Sequence, residues 1–306
     1  MLKYLKKDKM MNVKKFLIAV IAISGSFSAF AQSNLLNAKT PDEIGLKTVA
    51  QLDADNDKPL SYGYVHDRDV LMGKTTWEII DLSERINFAL YFPIDTANIG
   101  SDRRSLYDVL TRAMKSGEIT EVYTDGYFNT KKSLQDIQGS LTRIDTTDAG
   151  REQINAGGAI SEEYILRQDL SAADVTEYKI KGYWYFDKRQ SELKYRLLGI
   201  CPITPDVYSM NSEEKDYIEL FWVFFPAARD VLHDAKAFNE KNSAMPISFD
   251  QILNSRRFNS VIYKEENVYG DRGIDEYMKD NAQNQLLESE RVKDKIRNFE
   301  SDMWNY

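Results

Sequence analysis

The stretch GYWYFDKRQSELKYRLLGICP, residues 182–202, decides the fold of this chain. Apolar and polar side chains alternate on both sides of the charged segment DKRQS, residues 187–191, which is typical of two antiparallel strands joined by a turn. Ile180, Trp184 and Phe186 share one face of the predicted hairpin, and we expect that face to be buried. The opposite face, here called the basic strip, carries tyrosines and cations: Lys179, Lys181, Tyr183, Tyr185, Lys194 and Arg196.

The basic strip is either a surface that binds another protein or a surface covered within the subunit. Tyrosine and arginine are enriched among the residues that dominate binding energy at protein interfaces. A basic and aromatic strip on an acidic body also suits head-to-tail assembly of identical subunits. In the alternative, a helix covers the strip and the lysine side chains extend along it to reach water.

The N-terminal residues 1–31 have the pattern of a secretion signal peptide that is removed from the mature protein. Six lysines and one aspartate precede the apolar run FLIAVIAISGSFSAF, which ends in Ala-Phe-Ala at residues 29–31. The run is too short and too rich in serine to span a bilayer, since a span needs about 20 apolar residues. No cysteine follows to accept a lipid, so we expect a soluble exported protein that starts near Gln32.

The charge balance excludes some classes of partner. The chain has 40 Lys and Arg residues against 48 Asp and Glu residues, a net charge of −8. Loss of residues 1–31 removes six basic residues and one acidic residue, and leaves a net charge of −13. We therefore expect neither nucleic acid nor an anionic membrane as the main partner. The single cysteine, Cys201, cannot form an internal disulfide.

The remaining periodicities predict an α+β protein with a mixed, mainly antiparallel sheet, packed helices and a long C-terminal helix. Helical spacing of apolar residues and end signals predict helices over residues 101–117, 227–238, 248–258 and 281–306. Ser101 or Asp102 is the expected cap of the first helix, and Ser248 that of the third. Strands are predicted over residues 118–124 and 217–225, the second of them covered on both faces, and residues 261–269 are predicted to form a short strand or a turn.

The chain is expected to divide into segments of different order. Residues 32–60 are polar and predict a flexible N-terminal arm. Residues 61–306 are expected to fold, either as one region or as two halves, 61–138 and 161–306. Residues 139–160 lose periodicity and accumulate Gly, Thr and Asp, which predicts a loop between the halves.

The C-terminal helix carries one narrow apolar seam. Val292, Ile296, Phe299 and Met303 keep a 4-3-4 spacing on an otherwise polar helix. Such a seam docks either on the sheet of its own subunit or on another subunit. These four residues therefore join the basic strip as a candidate protein interface.

The sequence offers little that performs catalysis. His66 and His233 lack a second ligand at metal-binding spacing, and no nucleophile elbow or phosphate-binding glycine loop is present. Asp53, Asp55 and Asp57 imitate the start of a calcium loop, but the positions that need glycine and glutamate hold lysine and tyrosine. Cys201 is expected to be a small buried hydrophobe. We predict no catalytic, metal-binding or cofactor-binding residues.

Four long stretches resemble the gliding motility protein family GldN, also called PorN. They are YWYFDKRQSELKYRLLGICP, LFWVFFPAARDVLHDAKAFNE, SFDQILNSRRFNSVIYKEENVYGDRGIDEY and LLESERVKDKIRNFESDMWNY. The resemblance covers essentially the whole mature chain and is weakest over the arm and over residues 139–160.

The resemblance implies a non-catalytic, periplasmic component of the type IX protein secretion and gliding machinery. Members of the family associate with the outer membrane by forming a ring with the lipoprotein GldK (PorK), and contact the motor protein GldM (PorM). Two other hypotheses stay open at this point: a soluble periplasmic binding module that acts as a monomer, and a hydrolase with a carboxylate pair. A pair of carboxyl groups about 5–9.5 Å apart in a closed pocket would favour the hydrolase.

Overall fold

A computed structural model describes residues 58–95, 103–157, 162–210, 212, 214–239, 247–279 and 281–304. The predicted signal peptide and the arm up to residue 57 lie outside these ranges, as does the aspartate cluster that imitates a calcium loop. Residues from Lys58 onward belong to one compact unit.

The described residues contain eleven strands and eight α-helices, and the fold is α+β, as predicted. The strands are β1 Val70–Asp81, β2 Val122–Tyr123, β3 Thr142–Thr146, β4 Ile165–Asp169, β5 Glu177–Asp187, β6 Glu192–Pro205, β7 Tyr217–Glu219, β8 Trp222–Phe224, β9 Lys236–Ala237, β10 Ile247–Ser248 and β11 Val261–Glu265. The helices are α1 Phe88–Tyr91, α2 Leu106–Ser116, α3 Leu134–Leu141, α4 Asp148–Asn155, α5 Phe225–Asp234, α6 Phe249–Asn254, α7 Ile274–Tyr277 and α8 Ala282–Trp304.

A seven-stranded sheet in the order β11-β1-β5-β6-β8-β2 forms the centre of the fold, with β7 paired to β6. Every neighbouring pair is antiparallel. Strand β1, from residues 61–138, lies between β11 and β5 from residues 161–306. Two small ribbons, β3–β4 and β9–β10, lie outside this sheet.

The predicted hairpin is confirmed as β5–β6. This pairing and the β1–β5 pairing are the two longest in the sheet. A bulge between Lys181 and Gly182 shifts its register, so that Gly182 pairs with Leu197 and Lys181 with Gly199. A Cβ atom on Gly182 would overlap the Tyr195 ring and its hydroxyl oxygen. The glycine therefore leaves room for an aromatic ring that crosses the strand.

The two faces of the sheet are covered in different ways. Helices α2, α5, α6 and α8 pack on the face of Ile80, Ile180 and Ile200, here called the helix face. The opposite face, the loop face, holds a smaller cluster around Trp77, Cys201, Ile203 and Trp222. Residues 124–131, the covering loop, follow β2 and place Phe128 against this cluster.

A buried ion pair on the helix face joins β1 to the segment between α6 and β11. The two terminal guanidinium nitrogens of Arg256, Nη2 and Nη1, donate to the Glu78 carboxylate at 2.6 and 3.2 Å, and Ser260 and Thr76 donate further hydrogen bonds to it. Glu78 is fully buried. Burial acts to raise the pKa of Glu78, but the Arg256 charge and the three donors outweigh it and lower that pKa.

Helix α8 docks within its own subunit and closes the edge of β11. The Ser289 hydroxyl accepts a hydrogen bond from the Ile262 N–H at 2.9 Å, and the Lys293 ammonium donates to the Ser260 carbonyl at 2.8 Å. The Glu300 carboxylate accepts the Leu193 N–H on the hairpin. The helix thus satisfies backbone groups that an edge strand otherwise leaves free.

Some local predictions are wrong. The expected loop over residues 139–160 instead contains the end of α3, strand β3 and helix α4, because β3 pairs with the distant β4. Helix α2 begins at Leu106 and is capped by Ser105, not by Ser101 or Asp102, which lie outside the described residues. The predicted strand 217–225 is split into β7 and β8, which pair with different parts of β6.

Other local predictions are confirmed. Ser248 caps α6 by accepting the Gln251 N–H, and Gly117 ends α2 in the left-handed conformation. The long C-terminal helix is α8. Among the described residues, no helix combines the length and the apolar composition that crossing a membrane requires.

Replacement of Gly182 by alanine is expected to destabilise the protein by about 1–3 kcal/mol, because the Tyr195 ring cannot leave its buried site beside Arg256. The free energy of unfolding in urea measures this. Gly139→Ala is the matched control, since that glycine lies in α3 with open space around it. An unchanged stability for Gly182→Ala would refute the close approach.

Loss of the Arg256 charge is expected to leave Glu78 buried without its partner, at a cost of about 3–5 kcal/mol near neutral pH. The folded-state pKa of Glu78 is lowered, so its contribution is present above the unfolded pKa of about 4.3 and is lost as the pH falls through the folded value. The stability difference between wild type and Arg256→Met should therefore shrink in acid. The control is Arg257→Met at the exposed neighbouring residue, and a pH-independent difference would contradict the assignment.

Candidate protein-interaction surface

The first half of the basic strip is engaged within the subunit. The Lys179 ammonium lies 2.8 Å from the Glu219 carboxylate and also over the Tyr263 ring. The Lys181 ammonium donates to the Gly126 carbonyl in the covering loop at 2.9 Å. Both lysines are only partly exposed, so β5 offers its cations to solvent less than the alternating pattern predicts.

Lys181 lies in an aromatic box that fastens the covering loop to the sheet. Its ammonium is 4.9 Å from the Trp77 ring centre, 5.0 Å from that of Tyr127 and 5.4 Å from that of Phe128. Lys264, on β11, approaches Trp77 and Tyr127 at similar distances from the other side. Burial lowers the pKa of Lys181, and the Lys264 charge acts in the same direction against nearby carboxylates. Cation–π contacts of this kind contribute about 0.5–2 kcal/mol each.

The second half of the basic strip is partly covered by the N-terminal segment. Tyr183 and Tyr185 stack at 6.1 Å, and Tyr185 is only 7% exposed, so at this residue the strip is covered within the chain, the second of the two alternatives that the sequence left open. The Arg196 guanidinium lies over the Tyr62 ring at 4.5 Å and donates to the Gly63 carbonyl. The Lys194 ammonium makes only a long ion-pair contact, 3.8 Å from the Glu192 carboxylate on its own strand.

Tyr62 anchors the N-terminal segment between two cations. Arg229 of α5 lies 4.2 Å from the centre of the ring, on which Arg196 also packs. The Tyr62 hydroxyl donates to the Asn254 side chain at 2.7 Å. Arg229 itself forms a buried, two-pronged ion pair with Asp250. The chain that precedes β1 is thereby tied to both α5 and α6.

The apolar seam of the C-terminal helix is largely buried in its own subunit. Val292 and Ile296 pack with Ile262 in a cluster on the helix face. Phe299 meets the Phe186 ring edge-on at 5.8 Å. Met303 is exposed. Of the two arrangements that the sequence left open for this seam, the structure shows docking on the subunit's own sheet.

Two exposed apolar features are absent from the sequence prediction. The segment of α1 and its flanks exposes Ile86, Phe88, Phe92 and Ile94. The loop after β11 exposes Val268 and Tyr269. For the loop, the sequence contained a signal that could have been used. In ENVYGDRG two apolar residues lie among Asn, Asp and Gly, which are typical of turns and are not expected to bury apolar side chains in a core.

The described residues show no arrangement that favours catalysis. Among them there is no group of three or more His, Cys, Asp and Glu side chains that could hold a metal ion. Cys201 is a buried hydrophobe, as predicted, and burial raises the pKa of its thiol well above the ordinary value. His66 is exposed and accepts the Arg68 N–H at the start of a short 3-10 helix.

The family model described as gliding motility associated protein GldN matches residues 65–305. The chain belongs to the GldN family. The match includes every element from β1 to α8, and it confirms the resemblance seen in the four sequence stretches. Membership in the GldN family implies a component of the gliding motility and type IX secretion machinery. No protein with a curated description matches the sequence.

Removal of the Tyr62 ring is expected to release the segment that precedes β1. Tyr62→Ala should increase the rate of proteolytic cleavage within residues 58–65 about tenfold or more, the effect of losing about 1.4 kcal/mol of cation–π contact and hydrogen bonding. Tyr64→Ala is the matched control, because Tyr64 is 84% exposed. Equal cleavage rates in both variants would show that Tyr62 is not the anchor.

Proposed function

We propose that this GldN-family chain is a non-catalytic structural component of the type IX secretion machinery in the periplasm. It forms a ring with a GldK (PorK)-like outer-membrane lipoprotein and contacts the periplasmic part of a GldM (PorM)-like motor protein. The observation that carries the proposal is the family match over residues 65–305. The ring, the partners and the location are the proposed part.

The surface of the described chain supports a role in assembly. Phe88 and Phe92 are both exposed and their rings are in contact at 5.3 Å, and neighbouring exposed apolar side chains are typical of binding surfaces. A signal peptide without a lipid-acceptor cysteine suits a protein that reaches the outer membrane through a lipidated partner. The acidic balance of the chain permits local contacts between oppositely charged patches of neighbouring subunits.

Among the predicted interface residues, a partner can contact only those whose side chains keep atoms exposed to solvent. Lys194, Tyr183 and Met303 keep exposed atoms beyond their contacts within the subunit. Lys179, Lys181 and Arg196 present the outer parts of side chains whose charges already have internal partners. We propose Lys194 as the residue through which the basic strip contributes to assembly.

Co-expression of the full chain with the GldK-like lipoprotein of the same organism tests the proposal. Mass determination and electron imaging of the purified material should show a large ring that contains both chains. A monomer that does not bind the lipoprotein would contradict the proposed ring and favour a soluble periplasmic binding module.

The contribution of the basic strip has its own test in the same assay. Lys194→Glu is expected to lower the ring yield at low salt, with the effect fading near physiological salt, where the Debye length is about 8 Å. Lys188→Glu makes the same charge change at the exposed hairpin turn and serves as the control. If both variants assemble like wild type, the strip has no part in the ring.

A further inference from the structure

The loop between β11 and α7, residues 266–273, is held in one conformation by its own polar side chains. The Asn267 side-chain carbonyl accepts the N–H groups of Tyr269 and Arg272, and its amide donates to the carbonyls of Glu265 and Arg272. Asp271 accepts the Asn267 N–H, and Glu266 accepts from Thr75 on β1. A loop that is already ordered loses little conformational entropy when it binds.

This rigid loop presents two large side chains to solvent. Val268 is 93% exposed and Tyr269 is 75% exposed, and neither belongs to a core cluster of the described residues. The Arg272 guanidinium lies over the rings of Tyr269 and Tyr277, at 5.3 and 5.0 Å. Tyrosine and arginine on a fixed support are the residues that most often dominate an interface.

The same chain contains a cleft suited to such a loop. A cavity of about 720 Å³ lies between α2, α3 and the β3–β4 ribbon. Ile94 and Ile144 line it with substantially exposed side chains, and Tyr107 and Leu170 line it with buried ones. We call it the α2–β3 cleft.

The charges of the loop and of the cleft are complementary. The loop and the start of α7 carry Glu266, Asp271, Asp275 and Glu276 against the single cation Arg272. In the lining of the cleft, Arg112 pairs with Asp108 and Arg167 pairs with Asp169, so Lys115 supplies its one net positive charge. A net negative projection and a net positive cleft attract each other and disfavour loop–loop and cleft–cleft contacts.

The positions of the two features favour a contact between copies. The loop follows β11, one edge strand of the sheet, whereas α2 and α3 flank β2, the strand at the other edge. We propose that the 266–273 loop of one copy inserts Val268 and Tyr269 into the α2–β3 cleft of a second copy of this chain. The contact is head-to-tail, so a pair of copies keeps one free cleft and one free loop, on different copies, for further neighbours. It rests on the proposed ring and supplies the contact between adjacent copies in it.

Cysteine cross-linking between two differently marked chains tests the contact. Full-length Tyr269→Cys and Ile144→Cys chains, each with its own tag, are co-expressed with the GldK-like lipoprotein, and the purified assembly is oxidised. The native Cys201 is buried and does not compete. We expect a disulfide-linked dimer that carries both tags, and little dimer with two identical tags. Leu287→Cys with Ile144→Cys is the control pair, because Leu287 is also well exposed.

A second variant examines the same contact without engineered cysteines. Val268→Lys is expected to weaken ring formation about tenfold or more, since the tip of the loop would then place a cation in a cleft that is already net positive. Its monomer should unfold at the same urea concentration as wild type, because Val268 contacts no core. Intact rings in which neither the cross-link forms nor Val268→Lys has an effect would overturn the contact and leave the proposed function standing. Absence of any ring and of any cross-link would overturn both.

Discussion

The buried contact between Glu78 and Arg256 is the interaction on which the helix face depends. The two charged groups lie between two apolar clusters of the helix face, one under α2, α5 and α6 and the other under α8. Arg256 lies over the Tyr195 ring at 4.1 Å and over the Trp184 ring at 5.0 Å, so the pair also fixes the hairpin. Because an isolated charge in this position is costly, β1, the hairpin and the segment before β11 must be assembled together.

The loop face is stabilised in a different way. Its lysine side chains are covered by the chain, and a covered ammonium ion needs interaction partners. The aromatic rings of Trp77, Tyr127 and Phe128 surround the Lys181 ammonium, and the Gly126 carbonyl accepts a hydrogen bond from it. The arrangement covers the sheet with a loop instead of a helix. From the sequence pattern these charged residues are expected to face solvent, but in the structure they hold the covering loop in place.

Elements whose contacts are local could be predicted from the sequence, and elements defined by distant contacts could not. The β5–β6 hairpin, α6 and α8 carry their periodicity and end signals within a short stretch. Strand β3 reads as a loop because it is specified by pairing with β4. For the candidate interface, alternation assigns residues to a face correctly. It cannot show that Tyr62 and the covering loop occupy that face, since both come from elsewhere in the chain.

The closure of the sheet edges restricts how this chain can assemble. On β11 the groups at the edge meet Ser289, Lys293 and Gly273, and on β2 the covering loop returns so that the Lys132 N–H donates to the Val122 carbonyl. Neither edge of the seven-stranded sheet therefore invites another strand at these positions. Contacts made at these two edges would therefore use side chains rather than strand addition. In the proposed ring, partner choice would depend on exposed apolar residues such as Val268 and on cations such as Lys194, because backbone pairing at these edges supplies no specificity.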